Sequence, residues 1–293
     1  MRRACLWLSA TAWIAFGAAE AAAQTSETTL RIIAIGAHPD DCDQRAGGTA
    51  AKWAALGHRV KFVAVTSGDA GHQTEGGGAL ARRRRKEAQE AGARFGIAEY
   101  ETLDNHDGQL VPSVEVREQI IRRIRQWNAD VVLAPRPNDY HPDHRYTGVL
   151  VQDAAYMVVV PNIAPDTPPL RKNPVFLYFQ DGFQRPNPFR PDIAVSIDDV
   201  FERKVRALDA HTSQMYEWLP WVVGDPDRVP SDPAMRLDWL RGRLGALPIS
   251  EPVREALRKR YGAKADTVRS AEAFELCEYG RQAPPEELNR MFP

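Results

Sequence analysis

Cysteine is scarce in this chain, which has only three in 293 residues, at positions 5, 42 and 277. A small disulfide-stapled scaffold needs a dense set of cysteines, and a cysteine-rich structural zinc site needs three or four close together, so the sequence excludes both. Cys42 and Cys277 lie far apart along the chain, and the sequence leaves open whether they are free or paired. Cys42 could also be a metal ligand or a nucleophile, but a small buried side chain is the preferred interpretation.

An excess of charge of either sign is also missing. The formal net charge is -1, so the composition gives no electrostatic reason to expect a nucleic-acid or membrane partner, and we predict none. With 43% hydrophobic and 26% charged residues, the composition is typical of an ordinary globular protein.

Long hydrophobic runs are absent too. The longest largely apolar stretch, Ala4 to Ala19, follows two arginines and precedes Ala21-Ala22-Ala23. It is shorter than the roughly 20 residues of a membrane-spanning helix, and its order of features is typical of a secretory signal peptide. We predict that residues 1–23 are cleaved before Gln24, which leaves a secreted or periplasmic protein without a stable membrane anchor. A short membrane anchor is the alternative.

Histidine is uncommon, with seven in the chain, and His38, His141 and His144 fall in two short segments. Each segment, Ala37-His38-Pro39-Asp40-Asp41 and His141-Pro142-Asp143-His144, follows an apolar run that predicts a buried strand. Ligands of open α/β sheets bind at the carboxyl ends of the strands, so neighbouring strands would bring the two turns to one cleft. Histidine and aspartate suit zinc or a similar divalent ion.

Strand and helix patterns alternate along the chain. The predicted strands are 30–35, 60–65, 100–103, 130–134, 175–179 and 193–197, and the predicted helices are 44–56, 79–95, 113–128, 147–160 and 198–211. This alternation predicts a three-layer, Rossmann-like α/β fold with a mostly parallel sheet. Gly47 and Gly48 are expected to let the backbone approach the site closely.

These motifs and their surroundings resemble the PIG-L / LmbE-like family of zinc-dependent N-deacetylases. The resemblance runs from about Leu30 to about Gln214 and also includes Gly47-Gly48, Thr66-Ser67-Gly68-Asp69, Arg84 with Glu87, Asp107-Gly108 and Ala210-His211-Thr212-Ser213-Gln214. The ordered pair of His-Pro-Asp-Asp and His-x-Asp-His motifs is fairly specific, and the other pieces are weak alone. The resemblance implies Zn²⁺ (zinc) as cofactor, although other divalent transition metals accept the same ligand types.

The family's roles transfer to this sequence position by position. The resemblance implies three metal ligands, namely His38, Asp41 and His144. It implies that Asp40 is the general base that takes a proton from the zinc-bound water as it attacks an acyl carbonyl. His141 would stabilise the oxyanion or protonate the leaving amine, and Asp143 would fix a histidine ring. The choice of Asp40 as base and Asp41 as ligand comes from the resemblance alone.

Arg84 and Asp107 match family positions that contact the substrate. Arg84 lies within the basic run 82–86 and could instead be on a solvated helix face, while Asp107 could be a turn residue. His211 is interpreted as a hydrogen-bonded structural histidine. In one departure, many family members carry Glu shortly after His-Pro-Asp-Asp, whereas this chain has Asp43 after Cys42.

The chain beyond residue 214 has no motif that we recognise. Residues 24–214 are predicted to form the PIG-L/LmbE-like deacetylase domain, and residues 215–293 a helical and irregular extension packed on it, with helices at 237–244 and 252–261. Tyr216, Trp218 and Trp221 could stack on a sugar ring, but packing inside the extension is the preferred interpretation.

The sequence thus predicts a secreted metal-dependent hydrolase that removes an N-acyl group, most simply acetyl, from an amino sugar or a related glycan or small molecule. Hydrolysis of another amide or an ester is one alternative. A non-catalytic, metal-containing carbohydrate-binding protein is another, but it would need neither Asp40 nor His141. Gly36-Ala37-His38 does not supply a Gly-x-Gly-x-x-Gly turn, which argues against a dinucleotide-binding protein. The acylated compound and the oligomeric state are left open.

Overall fold

The structure is a computed structural model that describes residues 29–293, so the predicted signal peptide lies outside the described residues. The strands are β1 (Arg31–Gly36), β2 (Arg59–Thr66), β3 (Glu99–Asn105), β4 (Val131–Ala134), β5 (Val175–Phe179), β6 (Ile193–Ser196) and β7 (Ala271–Gly280). The α-helices are α1 (Asp41–Ala55), α2 (Gly77–Phe95), α3 (Val114–Trp127), α4 (Pro142–Met157), α5 (Phe201–Leu208), α6 (Leu219–Val222), α7 (Pro233–Gly245), α8 (Glu251–Tyr261) and α9 (Pro285–Met291). A π-helix, Ser213–Trp218, precedes α6.

The strands form one sheet with the order β3-β2-β1-β4-β5-β7-β6. The first five strands in this order are parallel to one another, and β7 is antiparallel to both β5 and β6. The predicted mostly parallel α/β fold is therefore confirmed. Strand order reverses between β1 and β4, and this switch point is where open α/β sheets bind their ligands.

Helices cover both faces of the sheet because successive side chains of each buried strand point to opposite sides. Ile32 and Ala34 of β1 belong to the core beneath α1 and α5, whereas Ile33 and Ile35 belong to the core beneath α3 and α4. All four are fully buried. Burial of an isoleucine side chain contributes about 1.5–3 kcal/mol, so this strand alone anchors both layers.

The two helices that start at the histidine motifs begin earlier than the sequence predicts. Helix α1 begins at Asp41 rather than at 44, and α4 begins at Pro142 rather than at 147. In α4, the His141 side chain accepts a hydrogen bond from the backbone N–H of Asp143, and Pro142 occupies the first helical position, an arrangement that favours initiation. The first motif is thus a turn that leads directly into α1, and the second forms the N-terminus of α4.

Strand β7 was not predicted, and it makes the segment after Gln214 part of the sheet rather than only helical and irregular. The strand pattern is obscured by three glutamates, at 272, 275 and 278, which are disfavoured in strands. Glu272 is nevertheless buried, and its carboxylate accepts hydrogen bonds from the backbone N–H of Gly48, from Thr49 and from the ammonium of Lys204. A charged residue inside this strand is therefore fully paired.

Gly47 and Gly48 bring α1 close to the core and not to the site, which corrects the expectation from the sequence. A Cβ at Gly47 would lie 2.4 Å from the ring of Phe95, and one at Gly48 would lie 2.7 Å from Ile197. These glycines let the helix pack against α2 and the end of β6.

The remaining elements pack around the sheet. Leu240 of α7 and Met215 of the π-helix share a core cluster with Val205 and Leu208 of α5. Helix α8 packs with β6 and β7 in another cluster. Within residues 29–293, no helix is long and apolar enough to cross a membrane.

Candidate metal centre and active site

The two histidine motifs meet at the switch point of the sheet. Strands β1 and β4 are hydrogen-bonded neighbours, with Ala34 opposite Leu133. The first motif follows β1 and the second lies at the start of α4, after the loop that leaves β4. The structure therefore brings these two predicted segments to one cleft.

The first motif forms a tight turn into α1. Asp40 has φ 139°, a value rarely adopted by residues other than glycine and often found at functional sites. Oδ2 of Asp41 accepts hydrogen bonds of 2.8 Å from the backbone N–H groups of Ala37 and His38. These bonds fix the Asp41 carboxylate and leave its Oδ1 facing His144, at 3.4 Å from Nε2.

The second motif is fixed by Asp139, a residue that sequence reasoning missed. Its Oδ1 accepts from the backbone N–H of His141 and lies 3.0 Å from Nδ1 of His144. This contact orients the His144 ring so that Nε2 faces His38. A carboxylate behind a ligating imidazole is the usual outer partner of a metal site, so an Asp two residues before the motif was the available signal.

The donor atoms of His38, Asp41 and His144 converge. Nδ1 of His38 lies 3.1 Å from Nε2 of His144 and 3.7 Å from Oδ2 of Asp41. Zinc–nitrogen and zinc–oxygen bonds are about 2.0–2.2 Å long, so tetrahedral ligand atoms are separated by about 3.3 Å. The chemistry and the spacing of these three donors therefore fit a divalent transition metal.

Two groups among the described residues have donor atoms that all lie within 4.8 Å of one another, and neither includes Asp41. They are His38 with His141 and His144, and His38 with Asp107 and Asp143. The latter two carboxylates face the opposite ring nitrogen of His38, since Nε2 lies 3.0 Å from Oδ1 of Asp107 and 3.4 Å from Oδ2 of Asp143. An imidazole that binds metal through one nitrogen typically donates its other N–H to a carboxylate. This pattern favours the Nδ1 side for the metal.

The electrostatics of the cluster favour a cation. Burial alone would lower the pKa of His38, but hydrogen bonds to Asp107, Asp143 and Asp41 raise it well above its ordinary value. Burial also opposes protonation of His144, yet the charge of Asp41 and the bond to Asp139 raise the pKa of His144 to about 9. The carboxylates around His38 and His144 thus outnumber these two imidazoles, and a metal ion would supply positive charge that balances the carboxylates.

Asp40 lies beside the metal ligands but is held by other groups. Its carboxylate accepts from Gln44 Nε2 at 2.9 Å and from Arg84 Nη2 at 3.2 Å. Burial raises the pKa of Asp40 to about 6, although the positive charge of Arg84 opposes the shift. A carboxylate with such a pKa suits proton transfer near neutral pH. Gln44 was not predicted, and its position one helical turn after Asp40 was the only signal.

Arg84, predicted to bind substrate, is buried and points into the protein. Its guanidinium donates to the carbonyls of Gly68 and Pro39 as well as to Asp40. The alternative of a solvated helix face is wrong for Arg84, although Arg82 in the same run is exposed. Most of its hydrogen-bond donors are used within the protein, and one of them contacts Asp40.

Asp107 reaches the same cleft from the loop after β3. Its backbone N–H donates to Asp69, and its Oδ2 lies 3.8 Å from Nη1 of Arg84. Burial opposes ionisation, but the hydrogen bond with His38 and its charge lower the pKa of Asp107 to about 2. Asp107 is therefore an anionic group that contacts His38 on one side and faces Arg84 on the other.

His141 and Asp143 sit on the second motif. Nδ1 of His141 accepts from the backbone N–H of Asp143, and the ring lies edge-on to His38 with centroids 4.7 Å apart. Asp143 is fully buried, and its Oδ2 accepts from the backbone N–H of Gly108 while Oδ1 has no partner among the described residues. Asp143 thus ties the Asp107 loop to α4 behind His38.

Behind the site, Asp43 accepts a hydrogen bond from the hydroxyl of Tyr100 and lies 2.9 Å from Nε2 of His211. Asp43 and His211 are fully buried and Tyr100 is partly buried. His211 is therefore a hydrogen-bonded structural histidine, as the sequence predicts. Cys42 is a small buried neighbour, and burial raises the pKa of its thiol well above the ordinary value. Cys42 and Cys277 are both free.

Fold and site together define an α/β protein with a histidine- and aspartate-lined centre at the switch point of its sheet. The family model described as PIG-L: GlcNAc-PI de-N-acetylase matches residues 33–155. The diacetylchitobiose deacetylase of Thermococcus kodakarensis is 33% identical over 207 residues, which cover 67% of this chain and 74% of that protein. The chain belongs to the PIG-L family.

Solved structures agree on the fold. The N,N'-diacetylchitobiose deacetylase of Pyrococcus horikoshii, complexed with an inhibitor, superimposes with a TM-score of 0.62 at 26% identity over 84% of this chain and 83% of that one. The 4-carboxy-2-hydroxymuconate hydratase of Pseudomonas putida KT2440 superimposes with a TM-score of 0.63 at 20% identity, over 87% and 99% of the two chains. The same fold thus carries more than one reaction, and the site must decide between them.

Proposed function

We propose that this protein is a metal-dependent N-deacetylase that hydrolyses the N-acetyl group of an amino sugar. The observation that carries the proposal is the convergence of His38 Nδ1, the Asp41 carboxylate and His144 Nε2, with Asp40 directly before Asp41 in the same turn. These residues occupy the motif positions of a family whose matched relative is a deacetylase of an acetylated sugar.

His38, Asp41 and His144 would hold the metal, zinc or another divalent transition metal, through two nitrogens and one oxygen. When bound, the ion supplies Lewis acidity and lowers the pKa of water to about 7. The outer contacts of Asp139 to His144 and of Asp107 to His38 keep both rings in place.

Asp40 is the general base. Gln44 and Arg84 fix its carboxylate, so it can accept a proton from the attacking water as the water oxygen bonds to the acetyl carbon. When the tetrahedral intermediate collapses, the C–N bond breaks and the proton on Asp40 passes to the amine. The products are acetate and the free amino sugar.

His141 stabilises the developing oxyanion. Its Nδ1 accepts from the backbone N–H of Asp143, so the proton of the neutral ring is on Nε2 and is available as a donor. Burial and the neighbouring charges of His38 and His144 lower the pKa of His141, which keeps the ring neutral. A donor aimed at the oxyanion is typically worth 10²–10³ in turnover, on the order of 3 kcal/mol.

We also propose that the protein is exported, on the basis of residues 1–23 alone. Edman degradation or intact-mass analysis of the protein recovered outside the cytoplasm would show an N-terminus at Gln24. An intact N-terminus on the functional protein would contradict export by cleavage.

The deacetylase is tested by acetate release from N-acetylglucosamine, di-N-acetylchitobiose, an N-acetyl amino acid and an acetate ester. We expect the zinc-loaded protein to release acetate from the amino sugars and to lose activity when a chelator removes the metal. Zinc should restore that activity. Turnover that persists in protein shown to be metal-free would contradict metal dependence, and release from the ester alone would identify an esterase.

A further inference from the structure

Three side chains from different parts of the chain converge above Gly71, in the loop between β2 and α2. Nη1 of Arg84 and Oδ2 of Asp107 each lie 3.2 Å from the position that a Cβ on Gly71 would take, and Nε1 of Trp218 lies 3.7 Å from it. Arg84 contacts the proposed base and Asp107 contacts His38. Trp218 is therefore on the rim of the candidate active site, and the missing side chain of Gly71 leaves the space between them open.

Polar contacts hold the π-helix Ser213–Trp218 in this position. The amide of Gln214 donates to the carbonyl of Gly71, and the backbone N–H and hydroxyl of Ser213 donate to Glu87. Glu217 pairs with His72 and Arg83. π-Helical turns are rare and frequently occur at functional sites, and this one fixes Trp218 on the side of the loop that faces the site.

Trp218 and Trp221 form a stacked aromatic pair, which we call the Trp218–Trp221 platform. Their rings are stacked, with centroids 5.3 Å apart and an interplanar angle of 17°. Trp221 is 50% exposed, whereas the neighbouring Tyr216 is buried and donates its hydroxyl to Asp209. The interpretation of core packing therefore holds for Tyr216 and is wrong for Trp221. The exposed indole of Trp221, stacked on Trp218, offers an apolar ring face to a ligand.

We propose that the Trp218–Trp221 platform is a subsite for a second sugar ring, so that the preferred substrate is an N-acetylated di- or oligosaccharide rather than a monosaccharide. This inference rests on the proposed function and identifies a specificity-determining surface for it. One face of a pyranose ring is largely C–H and suits an indole face, while its hydroxyls need polar partners. Arg83, Glu217 and Asp107 supply charged groups beside the platform, as a sugar requires and a lipid chain does not.

The test compares kcat/KM for N-acetylglucosamine and di-N-acetylchitobiose in the wild type, Trp221→Ala and Trp221→Phe. We expect Trp221→Ala to lower kcat/KM for the disaccharide roughly tenfold, the effect of losing one stacking contact, and to leave the monosaccharide value unchanged. Trp221→Phe should recover much of the loss. Tyr156→Ala, which removes an exposed aromatic on α4, is the matched control and should change neither value.

Equal losses for both substrates, or no loss for either, would overturn the subsite. If the wild type releases no acetate from any acetylated sugar, the proposed function fails, and calorimetric binding of di-N-acetylchitobiose then decides the platform separately. Weaker binding by Trp221→Ala than by Tyr156→Ala supports the subsite, whereas equal binding by the two variants, or no detectable binding by the wild type, overturns it. A wild-type dimer in sedimentation that Trp221→Ala dissociates would also overturn it, because a second copy would then cover the platform.

Discussion

Nδ1 of His38 lies 3.1 Å from Nε2 of His144, although 106 residues separate them along the chain. The pairing of β1 with β4 creates this proximity, because each strand delivers one histidine motif to the switch point of the sheet. Two ring nitrogens at this distance, with the carboxylate of Asp41 beside them, have the spacing that ligands of one ion would need.

His144→Ala should lose the metal, because it removes one of three ligands. We expect metal content to fall from one zinc per chain to below about 0.1, a decrease typical of a site that loses a direct ligand. His106→Ala is the control, since His106 is exposed and its side chain pairs with Asp69 rather than with a proposed ligand. Inductively coupled plasma mass spectrometry measures both, and stoichiometric zinc in His144→Ala would contradict the ligand set.

Arg84→Met should reduce turnover more than substrate affinity, because Arg84 holds Asp40 rather than pointing outward. Misplacement of the base predicts a kcat about 10–100-fold lower, with a much smaller change in KM. Arg82→Met, an exposed position on the same helix, should leave both constants unchanged. Steady-state kinetics distinguishes the cases, and a large rise in KM with normal kcat would instead assign Arg84 to substrate binding.

Glu272→Gln should destabilise the fold, because it leaves the buried ammonium of Lys204 without its charged partner. Removing one member of a buried ion pair costs about 3 kcal/mol or more in the free energy of unfolding. Glu278→Gln changes an exposed glutamate on the same strand and should cost less than about 0.5 kcal/mol. Urea unfolding followed by circular dichroism measures both variants, and equal midpoints would show that the buried pair contributes nothing.

Gly48→Ala should also destabilise the protein, since its Cβ would lie 2.7 Å from Ile197. Overpacking of this kind costs about 1–3 kcal/mol. Gly242→Ala, in α7, meets no atom within 4 Å and should stabilise by up to about 1 kcal/mol through helix propensity. The opposite signs can be measured in the same thermal melts, and a stabilised Gly48→Ala would show that α1 can move away from the core.

The sequence was sufficient to predict the elements in which an apolar strand pattern is followed directly by metal-binding residue types. The apolar runs of β1 and β4 predict buried strands, and the motifs after them predict one cleft, as the pairing of Ala34 with Leu133 bears out. It was insufficient where contacts between residues remote in sequence determine the secondary structure. Glu272 makes β7 hard to predict, because a glutamate is disfavoured in a buried strand unless it is paired. Its partners, Lys204 and the backbone of α1, are remote in sequence.

Local sequence patterns also could not predict where α4 begins or which arginine of the basic run is buried. The N-terminal contacts that begin α4 at Pro142 depend on the ring orientation of His141, which sequence does not show. Four consecutive arginines from 82 to 85 look alike in the sequence, yet only Arg84 among them is buried. Its burial follows from the position of Gly68 and Pro39, whose carbonyls accept its hydrogen bonds.

The central claim is that Asp40 is the base of a metal-dependent deacetylation. The most direct test measures acetate release and zinc content together in Asp40→Asn, with Asp104→Asn, an exposed aspartate that pairs with Arg85, as the matched control. We predict one zinc per chain in both variants and a kcat lowered about 10²–10⁴-fold in Asp40→Asn alone. Wild-type turnover in zinc-loaded Asp40→Asn would contradict the mechanism.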